Sequence, residues 1–577
     1  MLLSVLLVGV LFAGSAAADV PSEVAPLQPE ATTAITERAS VTAQKFMVAS
    51  AHSAATEAGY AVLAAGGSAA DAFVAVQVML NLVEPQSSGL GGGGFLLYWH
   101  AALGELTSFD ARERAPLSAD ERYWLGADGT PMGFWEAAVG GRSVGVPGTP
   151  LLLETVHARF GRLPWAQLIA PAIATAEEGF PVSQRLAAAI AEARDLDRFA
   201  ETRAYFFEPD GSPRHAGTIL RNPAFARSLR LFAAHGAAPF YTGAIARDMV
   251  AAVRTDTNPG ILTLEDLATY RVIERPPVCI AYRGHDVCGM GPPSSGGLTV
   301  AQILGMLETF DLPNLGPGLE ARHLFLEASR LAFADRNLFM ADSDFIDMPE
   351  GLLNREYLAT RAGLIGPDAA MGIAPPGTPP WNEAEPRAPD QPRPGRGTTH
   401  LVIVDSYGDV VSATSSIETG FGSRLMTGGF LLNNQLTDFA REPAVDGVPV
   451  ANRVEGGKRP RSSMAPTVVL RDGAPVLLTG SPGGANIIPY TAASIIAILD
   501  WEMDPQSAID RPHVVNRNGP TLIEEGPEAA AIAADLEALG HDVAIRDLNS
   551  GLHVIRIGPY GLTGAADKRR EGMALGD

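Results

Sequence analysis

The sequence predicts an α+β chain. Three observations carry this. Alanine-rich and amphipathic helical stretches recur along the whole length, short glycine-containing turns join apolar runs of strand length, and no stretch repeats. Taken in order, 53–82 is alanine-rich and interrupted by Gly66-Gly67, which predicts two helices, the second opening near Ser68. "EPQSSGLGGGGFLLYW" follows as a glycine-rich turn entering an apolar strand; no Gly-Lys-Ser/Thr follows, so it is not a phosphate loop. "VCIAYRGHDVC" reads as a hairpin turning at Arg283-Gly284, with Cys279 facing Cys288 in a non-hydrogen-bonded pair. A disulfide between them suits an oxidising compartment; two free thiols in a hairpin fit the residues equally. The stretch 319–341 is a long amphipathic helix. "TVVLRDGAPVLL" is a hairpin turning at Asp472-Gly473, and "PEAAAIAADLEALGHDVAI" is a helix entering a strand.

The chain has 577 residues, 46% hydrophobic and 19% charged, enough for a large core. Its formal net charge of −22, without a long basic run, argues against nucleic acid or an acidic membrane surface as a partner. The opening "MLLSVLLVGVLFAGSAAADV" reads as a signal peptide over 1–18, cut before Asp19 at an A-x-A site, although its start carries no Lys or Arg. That run is short for a membrane span and no Cys follows it, so no stable membrane anchor is expected and the product is expected to be periplasmic or secreted. The eleven His show neither H-x-H nor HExxH spacing, so no metal and no cofactor is expected.

One segment differs from the rest. The stretch 371–397 holds eight prolines and no periodicity, and composition makes it an exposed linker. It runs directly into "TTHLVIVD-SYG-DVVSATSSIE", a hairpin whose three-residue loop ends in Gly408. With Asp405 opposite Asp409, counting back sets Thr398 opposite Ser416, so two hydroxyls meet at the strand's first residue. A cut between Gly397 and Thr398 would give Thr398 a free α-amine with a pKa of about 8, able to act as a base beside its own hydroxyl. Gly397 would permit the backbone angles self-cleavage requires.

The company of this junction carries a resemblance. "GGSAADAFVAVQVMLNLVEPQSSGLGGGGF", "FDARERAP", "VGVPGTP", "MGPPSSGGLT", "EASRLAFADRN", "GTTHLVIVD", "FLLNNQLTDF", "GKRPRSSMAPT", "TGSPGG" and "GAADKRREG" occur in that order. Together they resemble the gamma-glutamyltranspeptidases (gamma-glutamyltransferases) of the N-terminal nucleophile hydrolase superfamily, over nearly all of the chain after the leader. The resemblance implies a four-layer αββα sandwich, self-cleaved into two intertwined subunits, a large one over 19–397 and a small one over 398–577. It implies attack on γ-glutamyl amides such as glutathione, with transfer to water or to an amino acid or dipeptide.

It also implies roles. Thr398 matches the nucleophile and Ser416 a second hydroxyl that orients it. Gly483 and Gly484 match the oxyanion hole, where loss of one donor typically costs about 3 kcal/mol of transition-state stabilisation. Arg112 matches a clamp for the substrate α-carboxylate, with Ser462 and Ser463 as further donors to it. Glu418, Gln435 and Asp438 match the group that holds the α-ammonium. By themselves these residues are less telling. Arg112 sits in a charged Arg-Glu-Arg turn, the serines lie beside Lys458, Arg459 and Arg461 in what reads as a basic loop, and Asp438 could cap a turn. "TGSPGG" is not a nucleophile elbow, because Thr479 stands where Gly is needed.

The chain departs from well-known members at three places. Glu418 stands where some have Asn, Ser416 where Thr is commoner, and the segment between Asp438 and Lys458 looks short, with no aromatic between Phe439 and Lys458 to cover the site. The last point predicts an open pocket for larger acyl or amine groups. Two other functions therefore stand beside the leading one. The first is a cephalosporin (glutaryl-type) acylase of the same architecture, and the second an exported γ-glutamyl-peptide binding protein that does not cut itself.

Overall fold

A computed structural model describes residues 30–381, 385–390 and 397–577. The expected signal peptide over 1–18 lies outside the described residues. Two seven-stranded sheets form the centre, and every strand pair within them is antiparallel. Their strands in chain order are β1 (Val41–Ala43), β2 (Met47–Ser50), β3 (Gly93–His100), β4 (Glu105–Ala111), β5 (Ile273–Arg275), β6 (Val278–Tyr282), β7 (His285–Gly289), β8 (Gly397–Val404), β9 (Val410–Glu418), β10 (Thr467–Arg471), β11 (Ala474–Gly480), β12 (His553–Gly558), β13 (Gly561–Ala566) and β14 (Met573–Gly576). One sheet runs β1-β13-β12-β11-β10-β7-β6 and the other β14-β2-β8-β9-β3-β4-β5. Each sheet mixes strands from before and after Thr398. A cut there would leave both products hydrogen-bonded across both sheets.

The period-two alternation of β8 makes the layers visible. Val402 and Val404 pack with Val410, Val468, Leu478 and Ile555 in the gap between the sheets. Leu401 and Ile403 point the other way, with Val411 and Ala413, onto helices α1 (Ser53–Ala64) and α2 (Ala69–Val83) and their neighbours. The sheet β1-β13-β12-β11-β10-β7-β6 is covered on its outer face by α3 (Gly296–Leu307), α4 (Leu319–Phe339) and α5 (Ile487–Leu499). Helix, sheet, sheet, helix is the αββα sandwich the resemblance implies.

Local chemistry sets the elements where the sequence predicts them. Gly66, at φ +83°, ends α1, and Ser68 with Asp71 forms a reciprocal capping box at the start of α2. Arg283-Gly284 and Asp472-Gly473 both have positive φ at their two turn residues, as the tightest hairpin turns require. Cys279 pairs with Cys288 in the β6–β7 register, and the two form a disulfide.

The β8–β9 turn is locked to the helix layer. Asp405 accepts from the backbone N–H of Tyr407 and Asp409, and its other oxygen accepts from Ala69 at the start of α2. Asp409 in turn accepts from Tyr98 and from the N–H of Ala101. A turn held at so many points fixes the register of the hairpin, and Thr398 stands opposite Ser416.

The proline-rich stretch is less free than its composition suggests. Over its described residues before Gly397 it has no helix or strand, yet it is docked. Met371 donates to Glu327, Ala374 to Asn518 and Gly377 to Asp335, while Ala388 bridges to Val450 and Asp390 donates its N–H to Asn337. Proline density removes donors and periodicity, which is what composition reads. It does not prevent the remaining polar groups from being captured.

Candidate active site

Thr398 is the second residue of β8 and 5% exposed, and its side chain lies on the face of β8 that looks into the gap between the sheets. The register of β8 against β9 slips between Gly397 and Thr398, so a bulge falls on the bond joining them. Thr398 Oγ1 lies 2.8 Å from Gly397 O and 3.3 Å from Ser416 Oγ. The Ser416 hydroxyl donates to the same Gly397 O at 2.5 Å and accepts from the N–H of Glu418 at 2.7 Å. The carbonyl preceding Thr398 is thus polarised by one hydroxyl and adjacent to another. Gly397 is required here by space, not by angle: its φ is outside the left-handed region, but an added Cβ would come 2.5 Å from Glu418 O and 2.8 Å from Gln86 O.

A buried ionic network anchors the start of β8 from below. Arg570 donates to Thr398 O at 3.2 Å and lies 3.5 Å from Glu84, which also pairs with Arg185 at 2.5 Å. Arg185 holds Glu30 with two further bonds of 2.6 Å. Burial pushes the Glu84 carboxyl up, but Arg185 and Arg570 outweigh burial and keep it below the usual carboxylate range.

Above Thr398 opens a cleft whose walls bring together most of the expected residues: Arg112, Ser416, Glu418, Gln435, Asp438, Ser462, Ser463 and Gly484 all line it. Gly483 lies just behind Gly484 and is not on the wall. Its φ of +131° and the Tyr490 ring 2.9 Å from a would-be Cβ leave only glycine there. Arg112 is fully buried and forms a very short ion pair with Asp438; its Nε donates to Pro460 O at 3.1 Å, and its Nη1 has no hydrogen-bond partner among the described residues. The two residues expected to grip opposite ends of a zwitterion therefore grip each other. Gln435 donates to Glu418 at 3.0 Å and to Asp438 at 3.4 Å. Burial first, then the adjacent Asp438 carboxylate, raises Glu418 well above the ordinary carboxylate range. Glu113, beside Arg112, is pushed up to about 8 by burial.

The two serines are prepared as donors. Ser463 Oγ accepts from Arg336 at 2.7 Å, and Ser462 Oγ accepts from the N–H of Met464 at 3.1 Å. Each keeps its own proton for an acceptor in the cleft. Phe439 lines the cleft, while 440–457 folds back as a short hairpin pairing Ala444–Val445 with Val448–Pro449.

Sequence reasoning missed three charged groups on the same wall, Arg336, Asp390 and Arg461. Arg336 lies in a quoted motif without a role, Asp390 in the presumed linker, and Arg461 in the presumed basic rim; only tertiary contact joins them. The His spacing likewise gives no hint that His323 and His541 meet at 2.8 Å, with Glu327 nearby. Gly366 O can only accept from His323 Nε2, so for the neutral rings His323 Nδ1 accepts from His541 Nε2, and Glu327 is bound to Arg330 and the Met371 N–H.

A hydroxyl beside a carbonyl polarised by a second hydroxyl, and a cleft carrying paired opposite charges, suit acyl transfer from a substrate with amino-acid character. Comparison with known proteins bears on the same point. A "Glutathione hydrolase proenzyme" of Bacillus subtilis (strain 168) is 35% identical over 546 residues, covering 92% of this chain and 91% of that protein. An "Acylase ACY 1 proenzyme" of Pseudomonas sp. (strain SE83) is 35% identical over 555 residues, covering 93% and 95%. The crystal structure of a cephalosporin acylase from Bacillus halodurans superposes with a TM-score of 0.82 at 29% identity, covering 96% of this chain and 99% of that one. Residues 55–577 match the gamma-glutamyltranspeptidase family, and the chain belongs to it.

Proposed function

We propose that this chain is a γ-glutamyl transferase and hydrolase, acting on glutathione and related γ-glutamyl amides after it has cut itself between Gly397 and Thr398. The observation that carries the reading is the pairing of Thr398 and Ser416 on one carbonyl oxygen, beside a cleft with a carboxylate cluster for an ammonium and Arg112 for a carboxylate.

The contacts support a route for self-cleavage. The Thr398 hydroxyl attacks the Gly397 carbonyl carbon, Ser416 donates to the oxygen as it becomes an oxyanion, and the C–N bond breaks with the proton passing to the new amine. The resulting ester is hydrolysed, leaving a Gly397 carboxylate and a free Thr398. The products are the large subunit over 19–397 and the small subunit over 398–577, held together by the two shared sheets. Among the described residues no titratable side chain contacts Thr398 Oγ1. The base for turnover is then the α-amine that the cut itself creates.

In turnover the same hydroxyl attacks the γ-carbonyl. The leaving amine takes a proton, and a γ-glutamyl ester forms on Thr398, which water or an amino acid or dipeptide then resolves. The N–H groups at Gly483 and Gly484 serve the oxyanion. The substrate zwitterion inserts into the Arg112–Asp438 pair. Its carboxylate takes Arg112, Ser462 and Ser463, and its ammonium takes Asp438, Glu418 and Gln435. Exchanging one ion pair for two keeps every buried charge compensated. The expected leader makes the enzyme periplasmic or secreted; no helix among the described residues is long and apolar enough to cross a membrane.

The second reading, a glutaryl-type acylase, is favoured by the superposition on a cephalosporin acylase and by a hairpin over 440–457 that brings no aromatic to the cleft. The test compares γ-glutamyl and glutaryl 4-nitroanilides, with and without glycylglycine. The proposal expects faster release from the γ-glutamyl compound and stimulation by glycylglycine. Preference for the glutaryl anilide would replace it by the acylase reading. A protein that stays uncut and releases nothing would replace it by the binding protein.

A further inference from the structure

The cleft contains a charged pair that the chemistry above does not use. Arg461 is buried on its wall, and its Nη2 binds the carboxylate of Asp390 at 2.8 Å. Its Nη1 is spent on the carbonyls of Arg336 and Met340. Beside it stands Arg336, also buried, whose three guanidinium nitrogens reach only neutral acceptors on Ser295, Asn337 and Ser463. Of these two guanidiniums only Arg461 holds a carboxylate, that of Asp390. Burial first, and then the neighbouring Arg461 charge, pulls Arg336 well below its usual range.

The single carboxylate comes from an unusual source. Asp390 belongs to the proline-rich stretch and lies seven residues before Gly397. Besides Arg461, it is held by its N–H bond to Asn337 and a bond from Asn452 at 3.1 Å, while its neighbours Arg387 and Ala388 bond to Asp347 O and Pro449 O and Ala388 packs on Ala440 and Val450. In the uncut chain this segment is tied on both sides. A cut after Gly397 unties one side and lowers the effective concentration of the Asp390 carboxylate at Arg461.

We propose that Arg461 is an anion-binding residue of the cleft and that Asp390 is its tethered occupant, so that the pair sets how well the enzyme accepts leaving groups that carry a carboxylate. The inference rests on the γ-glutamyl amide reading for its kinetic test. A leaving group whose carboxylate reaches Arg461 has to displace Asp390, and a neutral one does not. The selectivity between the two is then set by the competition of two carboxylates for one guanidinium, not by fit in the acyl pocket.

The experiment measures kcat/KM for γ-glutamyl-4-nitroanilide and γ-glutamyl-3-carboxy-4-nitroanilide on processed protein, checked for both subunits on a denaturing gel. In Asp390→Ala the ratio of carboxylated to plain anilide is expected to rise about tenfold, the scale of one charge pair at a partly open site. Asp390→Asn, which keeps a bond to Asn452 but loses the charge, is expected to behave alike. Adding Arg461→Met is expected to abolish the rise. If Asp390 is only a structural clip, both anilides change by one factor; that result, or a rise that survives Arg461→Met, overturns the proposal. Should the wild-type protein release nothing from the plain anilide, the functional reading fails, and the subsite is read without turnover. The leaving group alone, 3-carboxy-4-nitroaniline, is then expected to raise the thermal midpoint of Asp390→Ala but not of Asp390→Ala with Arg461→Met. Equal shifts, or no shift in either, overturn the proposal.

Discussion

Replacing Ser416 by Ala removes one donor from the carbonyl that self-cleavage must attack. In the uncut chain its hydroxyl is 2.5 Å from Gly397 O and is aligned by the Glu418 N–H, which donates to it at 2.7 Å. The bond is short, buried and aimed at the oxygen where negative charge develops, the arrangement in which one donor is worth about 2.7–4 kcal/mol. At about 1.36 kcal/mol per factor of ten, the first-order rate of processing should fall about 100- to 1000-fold. Thr398 keeps its own contact with Gly397 O, so processing slows and does not vanish. The assay follows purified precursor on a denaturing gel, the full-length band decaying into large and small pieces. Ser416→Thr, which restores a hydroxyl at the same Cβ, should recover most of the rate. Processing of Ser416→Ala within a few-fold of wild type would refute the claim that this hydroxyl stabilises the oxyanion. So would equal slowing by Ser416→Thr, which would point to packing instead.

Other outcomes follow from the same geometry. Gly397→Ala should block or severely slow processing without exposing the core, because the added Cβ meets backbone oxygens at 2.5 and 2.8 Å that cannot rotate away; normal processing would mean the bulge relaxes freely. Asp438→Ala should raise KM for γ-glutamyl anilide far more than for glutaryl anilide, and equal effects would remove Asp438 from ammonium binding. Burial and then Asp438 raise the Glu418 carboxyl well above its ordinary range, and a bound ammonium favours its ionised form, so binding favours release of a proton. KM for γ-glutamyl substrates should therefore fall as pH rises, until Glu418 ionises in the free enzyme. Glu418→Gln should flatten that slope, and the glutaryl anilide should lack it; a slope unchanged in Glu418→Gln would assign it elsewhere.

What the sequence made legible, and what it hid, divides along physical lines. The β8–β9 hairpin could be counted because its turn chemistry is local, and the count brought Ser416 to Thr398 before any contact was known. The capping box at Ser68 and the Asp472-Gly473 turn are local in the same way. The pairing of Arg112 with Asp438 spans 326 positions and exists only once the fold closes the cleft. Nothing near either residue announces it. Arg336, Arg461 and Asp390 were hidden for the same reason, and Asp390 doubly so, since proline density made its surroundings read as free chain. Gly397 carries a second constraint that its sequence neighbourhood does not display. Glycine at a junction suggests angle, whereas close approach of Glu418 O and Gln86 O can only be seen in three dimensions.

The central claim is that one hydroxyl, on Thr398, performs both the cut and the turnover. Intact mass and N-terminal sequence of the small product, before and after a brief incubation with a γ-glutamyl donor and an acid quench, test it directly. The account predicts a piece beginning at Thr398 that gains one γ-glutamyl group on its first residue, and Thr398→Ala protein that is neither cut nor labelled. A label carried by another residue, or turnover by an uncut Thr398→Ala chain, would contradict it.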